Sequence, residues 1–295
     1  MAEISGDQVR KFFQSLIPAR MRRDIPVVPV VRLTGVIGFS SPLRPGVTLS
    51  SVARLLDRAF SMRRAKAVAL LINSPGGSPV QSHLIYRRVR QLSEEKKIPV
   101  IVFIEDAGAS GGYMIACAGD EVYCDPFSIV GSIGVVGATF GFDKAIEKLG
   151  IERRVYTAGE RKMTLDPFLP ENPQDVAHIK AIQEDIHEGF IALVKERRGG
   201  KLTGPESALF SGEYWAGEQA HRLGLVDGFG EIRSFMRARF GEKVYLPLIA
   251  ERGWFGRRMP GVGSQLAAGL AGGDGLAAEF LSAAEQRALW ARYGL

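Results

Sequence analysis

Apolar positions along this chain follow two periods in alternation. Residues 27–33 read as a first strand, and the unbroken apolar runs at 67–72 and 99–104 have the length of buried strands, the first covered on both faces. Between them Val52, Leu55, Leu56 and Phe60, then Leu84, Ile85, Val89 and Leu92, recur at three- and four-residue steps and predict helices. Further along, 121–124 and 152–156 read as strands, 112–118 and 142–149 as short helices. Val176, Ile179, Ile182, Ile186, Phe190 and Val194 then trace one long amphipathic helix that stops at Gly199-Gly200. A last helical piece near 216–223 leads into Gly224-Leu225-Val226-Asp227. Strands alternating with helices predict βαβ units, right-handed crossovers and a mostly parallel sheet flanked by helices, an α/β fold.

The same pattern divides the chain into three parts. Residues 1–25 form a basic amphipathic segment ending at Pro26, residues 26–235 the α/β domain, and residues 236–295 an extension. Gly and Ala dominate that extension, and Phe280, Leu281, Leu289 and Trp290 suit a short amphipathic helix behind a Gly-rich linker.

With 295 residues, 46% hydrophobic and 24% charged, the chain has the composition of a folded globular protein. Half of its net charge of +6 falls in the first 23 residues, where Arg10, Lys11, Arg20, Arg22 and Arg23 stand against Glu3 and Asp7. Concentrated there, the charge describes a basic tail and not a nucleic-acid-binding face. With Phe12, Phe13, Leu16 and Ile17 the tail also suits peripheral contact with an anionic membrane surface. No apolar run is long enough to span a bilayer and no signal-peptide pattern opens the chain, so the expected location is cytoplasmic. Cys117 and Cys124 have no second pair to complete a zinc site and read as buried free thiols.

The chemistry starts at Ser110, in Gly108-Ala109-Ser110-Gly111-Gly112, directly after an apolar strand. Glycines around a serine allow a sharp strand-to-helix turn, close approach of a carbonyl, and a free amide N–H next to the nucleophile. Pro75-Gly76-Gly77 ends the preceding strand, so the N–H groups of Gly77 and Gly111 are candidate oxyanion donors. The base is less obvious. His83, His178, His187 and His221 all fall in segments read as helices, and each reads as an ordinary helix residue. Lys162, in an irregular segment after 152–156, is the alternative, provided its amine is held neutral. Ser132, between two glycines, suits a hydroxyl that orients that amine. Neither a P-loop nor a dinucleotide fingerprint occurs, so no cofactor is expected.

Four motifs in order, Asn73-Ser74-Pro75-Gly76-Gly77, Ala109-Ser110-Gly111-Gly112-Tyr113, Gly131-Ser132-Ile133-Gly134-Val135 and Ala158-Gly159-Glu160-Arg161-Lys162, resemble the signal peptide peptidase A family. The resemblance covers residues 27–232. It implies a ClpP/crotonase-like fold and a serine endopeptidase with a Ser–Lys dyad. Ser110 would be the nucleophile, Lys162 the general base, Ser132 its orienting hydroxyl, and Gly77 and Gly111 the oxyanion donors. It further implies a homo-oligomer whose active site is shared between subunits. The implied substrates are remnant signal peptides or other unfolded and membrane-derived peptides. Arg161 stands where the family usually has an aromatic residue, and the membrane anchor of many members is not found here.

Three other readings fit parts of the pattern. Gly108 to Gly112 also satisfies the G-x-S-x-G elbow of α/β-hydrolases, which needs a loop histidine downstream. A crotonase-like acyl-CoA enzyme would use the glycine donors without needing Ser110 and Lys162 together. A non-catalytic, membrane-associated scaffold would use neither.

Overall fold

The computed structural model describes residues 25–38, 46–159, 161–250 and 287–294. The basic amphipathic segment expected at residues 1–24, and Phe280 and Leu281 of the expected C-terminal helix, lie outside the described residues.

Strand β1 (Val30–Thr34) leads to helix α1 (Leu49–Phe60), strand β2 (Val68–Ser74), helix α2 (Pro79–Lys96) and strand β3 (Val100–Ala109). After the short helix α3 (Gly111–Ala116) come β4 (Glu121–Cys124), β5 (Ile129–Gly131) and helix α4 (Asp143–Lys148). The long helix α5 (Pro173–Arg198) is followed by α6 (Glu206–Leu209), β6 (Tyr214–Ala216), α7 (Gly217–Arg222), β7 (Gly228–Phe229) and α8 (Ile232–Phe240). The strands form one sheet in the order β1-β2-β3-β4-β7, parallel throughout. β5 pairs parallel with the far end of β3, and β6 pairs antiparallel with β5. This is the α/β architecture expected from the alternating pattern.

The unbroken apolar runs follow from two buried faces. Val68, Leu70 and Ile72 of β2, with Val100, Val102 and Ile104 of β3, join the core under α1, α2 and α3. Ala67, Ala69, Ile101 and Phe103 point the other way and pack with Met236 of α8. Helices cover the first face with Leu56, Phe60, Ile85 and Val89, all fully or almost fully buried. Each such side chain contributes roughly 1.5–3 kcal/mol through removal from water. Helix starts are set by local chemistry: Thr48 and Ser51 form a capping box for α1, Ser78 caps α2 ahead of Pro79, and Asn172 caps α5 ahead of Pro173. Cys117 and Cys124 are free and buried, as expected. Burial pushes both thiols up to about 12, which makes them poor nucleophiles.

One expectation is corrected. Residues 152–156 are not a strand: they pair with no neighbour among the described residues, and Tyr156 is 91% exposed. The apolar residues there belong to an exposed stretch around α4 and not to the sheet. Helix α8 runs across position 235, and its Met236 is fully buried. Beyond α8 the backbone runs beside β1, with Val28 N–H donating to Tyr245 O and Val30 N–H to Pro247 O, each at 2.9 Å. The packed body therefore continues to Ile249, because β1 needs a partner on its outer edge.

Candidate active site

Ser110 directly follows β3 and caps the N-terminus of α3, with φ 51° and ψ −122°. A non-glycine residue in that region is strained, at a cost on the order of 1–3 kcal/mol. The turn is held from both sides. Ser110 N–H donates to Gly131 O at 2.8 Å, and Met114 N–H donates to Ser110 O at 3.0 Å. Deeper in α3, the Tyr113 hydroxyl donates to Leu225 O at 2.8 Å and is fully buried.

The register of the sheet assembles the rest. β2 and β3 shift register between Ile72 and Ser74, so that Ser74 faces Gly108 at the end of the parallel pair. Pro75-Gly76-Gly77 therefore emerges beside the Ser110 turn. On the other side Ala109 pairs with Gly131, which sets Ser132 next to Ser110. This grouping lies at the carboxyl ends of parallel strands, where open α/β sheets form their sites.

Gly77 has φ 138° and lies against the backbone of Ile37, where any Cβ would collide with the Ile37 carbonyl. A Cβ on Gly111 would run into Ser82 Oγ and lie 3.5 Å from Gly77 N, so the two amides are near neighbours. Among the described residues neither N–H donates to a backbone or side-chain acceptor. Two adjacent, unengaged amides beside a serine can stabilise an oxyanion.

A cavity of about 310 Å³ opens at Ser110 and is lined also by Ser132, Gly134, Val136, His187 and Arg292. Ser132 is buried, with φ 55°, and its N–H donates to Glu213 O at 2.6 Å. Its hydroxyl lies 3.2 Å from the Tyr293 hydroxyl. Lys162 does not line this cavity within one chain. It is exposed, in a loop held by the bond from its own N–H to Gly159 O at 3.2 Å. Ser110, Ser132, Gly77 and Gly111 are thus brought together, and Lys162 is not brought to them by the single chain.

Two cavity residues were given no role by sequence reasoning, which set His187 aside as an ordinary helix residue. His187, on α5, has Nε2 3.0 Å from the carbonyl of Ile133, which can only accept, so Nε2 carries the proton. In sequence it sits between periodic apolar positions like any helix residue, and only the docking of α5 onto the Gly131–Gly134 turn reveals it. Arg292 belongs to the C-terminal segment, whose folding back was not foreseeable from its composition. His221, required by the α/β-hydrolase reading, lies in α7 with its ring 5.2 Å from that of Phe229 and does not line the cavity.

The end of α5 is fastened by a buried ion pair. Arg198 Nη1 lies 2.7 Å from Asp227 Oδ2, with the Arg198 side chain 2% exposed, and Lys201 Nζ lies 2.6 Å from Asp227 Oδ1. Burial by itself would raise the Asp227 carboxyl. The bonds from Arg198, Lys201 and the Val122 N–H outweigh it and hold the carboxyl below the usual carboxylate range.

The model of peptidase family S49 matches residues 93–239. A putative protease of Synechocystis sp. is 31% identical over 211 residues, 69% of this chain and 75% of that protein. The chloroplastic serine protease SPPA of Arabidopsis thaliana is 29% identical over 230 residues, 75% of this chain and 33% of that protein. A Brucella abortus protein named Na(+)/H(+) antiporter NhaA is 55% identical over 291 residues, 95% of this chain. The chain spans 38% of that protein's length. No described helix here is long and apolar enough to cross a membrane, and the antiporter name stays with the Brucella protein.

Proposed function

The chain belongs to peptidase family S49, and on that premise we propose that it is a serine endopeptidase in which Ser110 is the nucleophile and Lys162 the general base. The observation that carries this reading is the meeting of Ser110 with the unengaged amides of Gly77 and Gly111 at the ends of β2 and β3. Ser110 Oγ attacks the scissile carbonyl and its proton passes to the neutral amine of Lys162. The oxyanion sits between the two amides, each worth about 3 kcal/mol in the transition state. Lys162 returns the proton to the leaving amine, and water then hydrolyses the acyl-enzyme by the same proton route. Ser132 accepts a hydrogen bond from the amine and fixes its direction.

In this reading Lys162 reaches Ser110 from a neighbouring copy of the chain. Support comes from the stretch that carries it: Val136, Phe140, Phe142, Leu149 and Ile151 are all exposed, with Phe140 77% exposed. Apolar surface of that extent marks a contact with another molecule. Burial in such a contact also supplies the desolvation that keeps a lysine amine neutral near pH 7. The substrates that suit this chemistry are unfolded peptides, remnant signal peptides among them.

Mixing two inactive variants tests both parts at once. Ser110→Ala and Lys162→Ala should each be inactive on a fluorogenic peptide, and a re-equilibrated mixture should regain activity. A mixture that stays inactive would exclude the shared site. Near-normal turnover by either variant alone would exclude the dyad.

A further inference from the structure

The C-terminal segment meets the cleft through Arg292, which lines the cavity, and through Tyr293, which is buried against Ser132. Residues 287–291 form a helical turn, and Tyr293 just beyond it is 8% exposed while Arg292 and Gly294 on either side are exposed. The Tyr293 hydroxyl lies 3.3 Å from Pro75 O and 3.2 Å from Ser132 Oγ, residues 218 and 161 positions away in sequence. Its ring meets Tyr214 edge-on, with centroids 4.8 Å apart at 82°, and the Tyr214 hydroxyl donates to Arg292 O at 3.0 Å. These contacts define a tyrosyl pocket built by Pro75, Ser132 and Tyr214, adjoining the cavity at Ser110.

We propose that this pocket is the binding site for the chain's own C-terminal segment, and that Tyr293 seated there competes with the base amine for the Ser132 hydroxyl. The proposal rests on the Ser110–Lys162 reading above. A buried hydroxyl without a partner is costly, and among the described residues the side-chain partner of Ser132 Oγ is Tyr293. In the assembled dyad the same hydroxyl holds the lysine amine. The Tyr293 hydroxyl bonded to it takes the contact that amine would make, and the neighbouring Arg292 lines the cavity at Ser110. The segment-bound chain is therefore a latent form, and withdrawal of Tyr293 opens the seat for Lys162.

The test compares the full-length protein with its Tyr293→Phe and Tyr293→Ala variants by the rate at which a fluorophosphonate probe labels Ser110, with Ser110→Ala as the blank. Removing the hydroxyl should raise the rate about threefold to tenfold, the worth of one hydrogen bond. Tyr293→Ala, which also removes the ring, should raise it more than tenfold. A synthetic peptide of residues 286–295 should return the Tyr293→Ala protein toward the wild-type rate, and the same peptide with alanine for tyrosine should not. If the wild type and Tyr293→Ala are labelled at equal rates, the competition is overturned while the nucleophile assignment stands. If no variant is labelled above the blank, the nucleophile assignment falls and the competition falls with it.

Discussion

The Ser110 N–H donates to the Gly131 carbonyl across 2.8 Å, tying the turn that bears one serine to the turn that bears the other. Both serines sit at positive φ, and both follow the last residue of a strand in the same parallel ladder, Ala109 opposite Gly131. Each turn has a further tie, Ser132 N–H to Glu213 O and Met114 N–H to Ser110 O. Paired across the ladder, each supports the other, and the hydroxyls are delivered to one cavity without any side chain bridging them.

Gly77 is the position where a single methyl group should do most harm to catalysis. Its Cβ would press on the Ile37 carbonyl and displace the amide from the oxyanion position. Gly77→Ala should lower kcat by about 10²–10³, the cost of losing one oxyanion donor. Circular dichroism on the same sample reports whether the fold persists. Wild-type turnover in a folded Gly77→Ala protein would remove Gly77 from the mechanism.

His187 bonds to the turn that carries Ser132, and in the proposed mechanism it positions that turn. His187→Ala frees the Ile133 carbonyl and should lower kcat by about 10- to 100-fold, the scale expected when a reacting group is slightly misplaced. KM should change much less. Glutamine, whose side-chain N–H can reach the same carbonyl, should recover most of the loss. Equal defects in the alanine and glutamine variants would argue against the hydrogen bond as the cause.

Asp227 gives the fold an acid limit. Its folded-state carboxyl is held low, so its contribution is present above the unfolded carboxylate value and is lost as pH falls through the lower folded value. Asp227→Asn leaves Arg198 buried without a charged partner and should cost about 3 kcal/mol at pH 7. In urea denaturation, the gap between wild type and variant should narrow below pH ~4. A gap of the same size from pH 7 down to pH 3 would show that the carboxylate charge is not what stabilises the fold.

Phe140 tests the exposed apolar stretch as a contact between copies. Phe140→Asp should shift the protein toward smaller species in sedimentation velocity and lower specific activity in parallel, because a charge in an apolar contact must be desolvated. An unchanged sedimentation profile would place the contact elsewhere.

The strands at 67–72 and 99–104 were legible because both sheet faces are buried, which leaves an unbroken apolar run as a local record of a non-local fact. The segment 152–156, Glu152-Arg153-Arg154-Val155-Tyr156, carries no such run, and local composition holds no information about whether a neighbouring strand exists. The reach of the fold past 235 was hidden for a related reason. The 245–249 segment gains its order from hydrogen bonds to β1, more than 200 residues away.

Sequence alone determined the α/β class, the helix starts at capped and proline-marked positions, and the serine and glycine turns, because each depends on residues close together in the chain. Only tertiary structure decided that Gly77 and Gly111 are neighbours, that His187 and Tyr293 face the same cleft, and that Lys162 does not meet Ser110 within one chain. Those relations depend on strand register and on which surfaces pack together, and a register is a choice among pairings that no short stretch of residues contains.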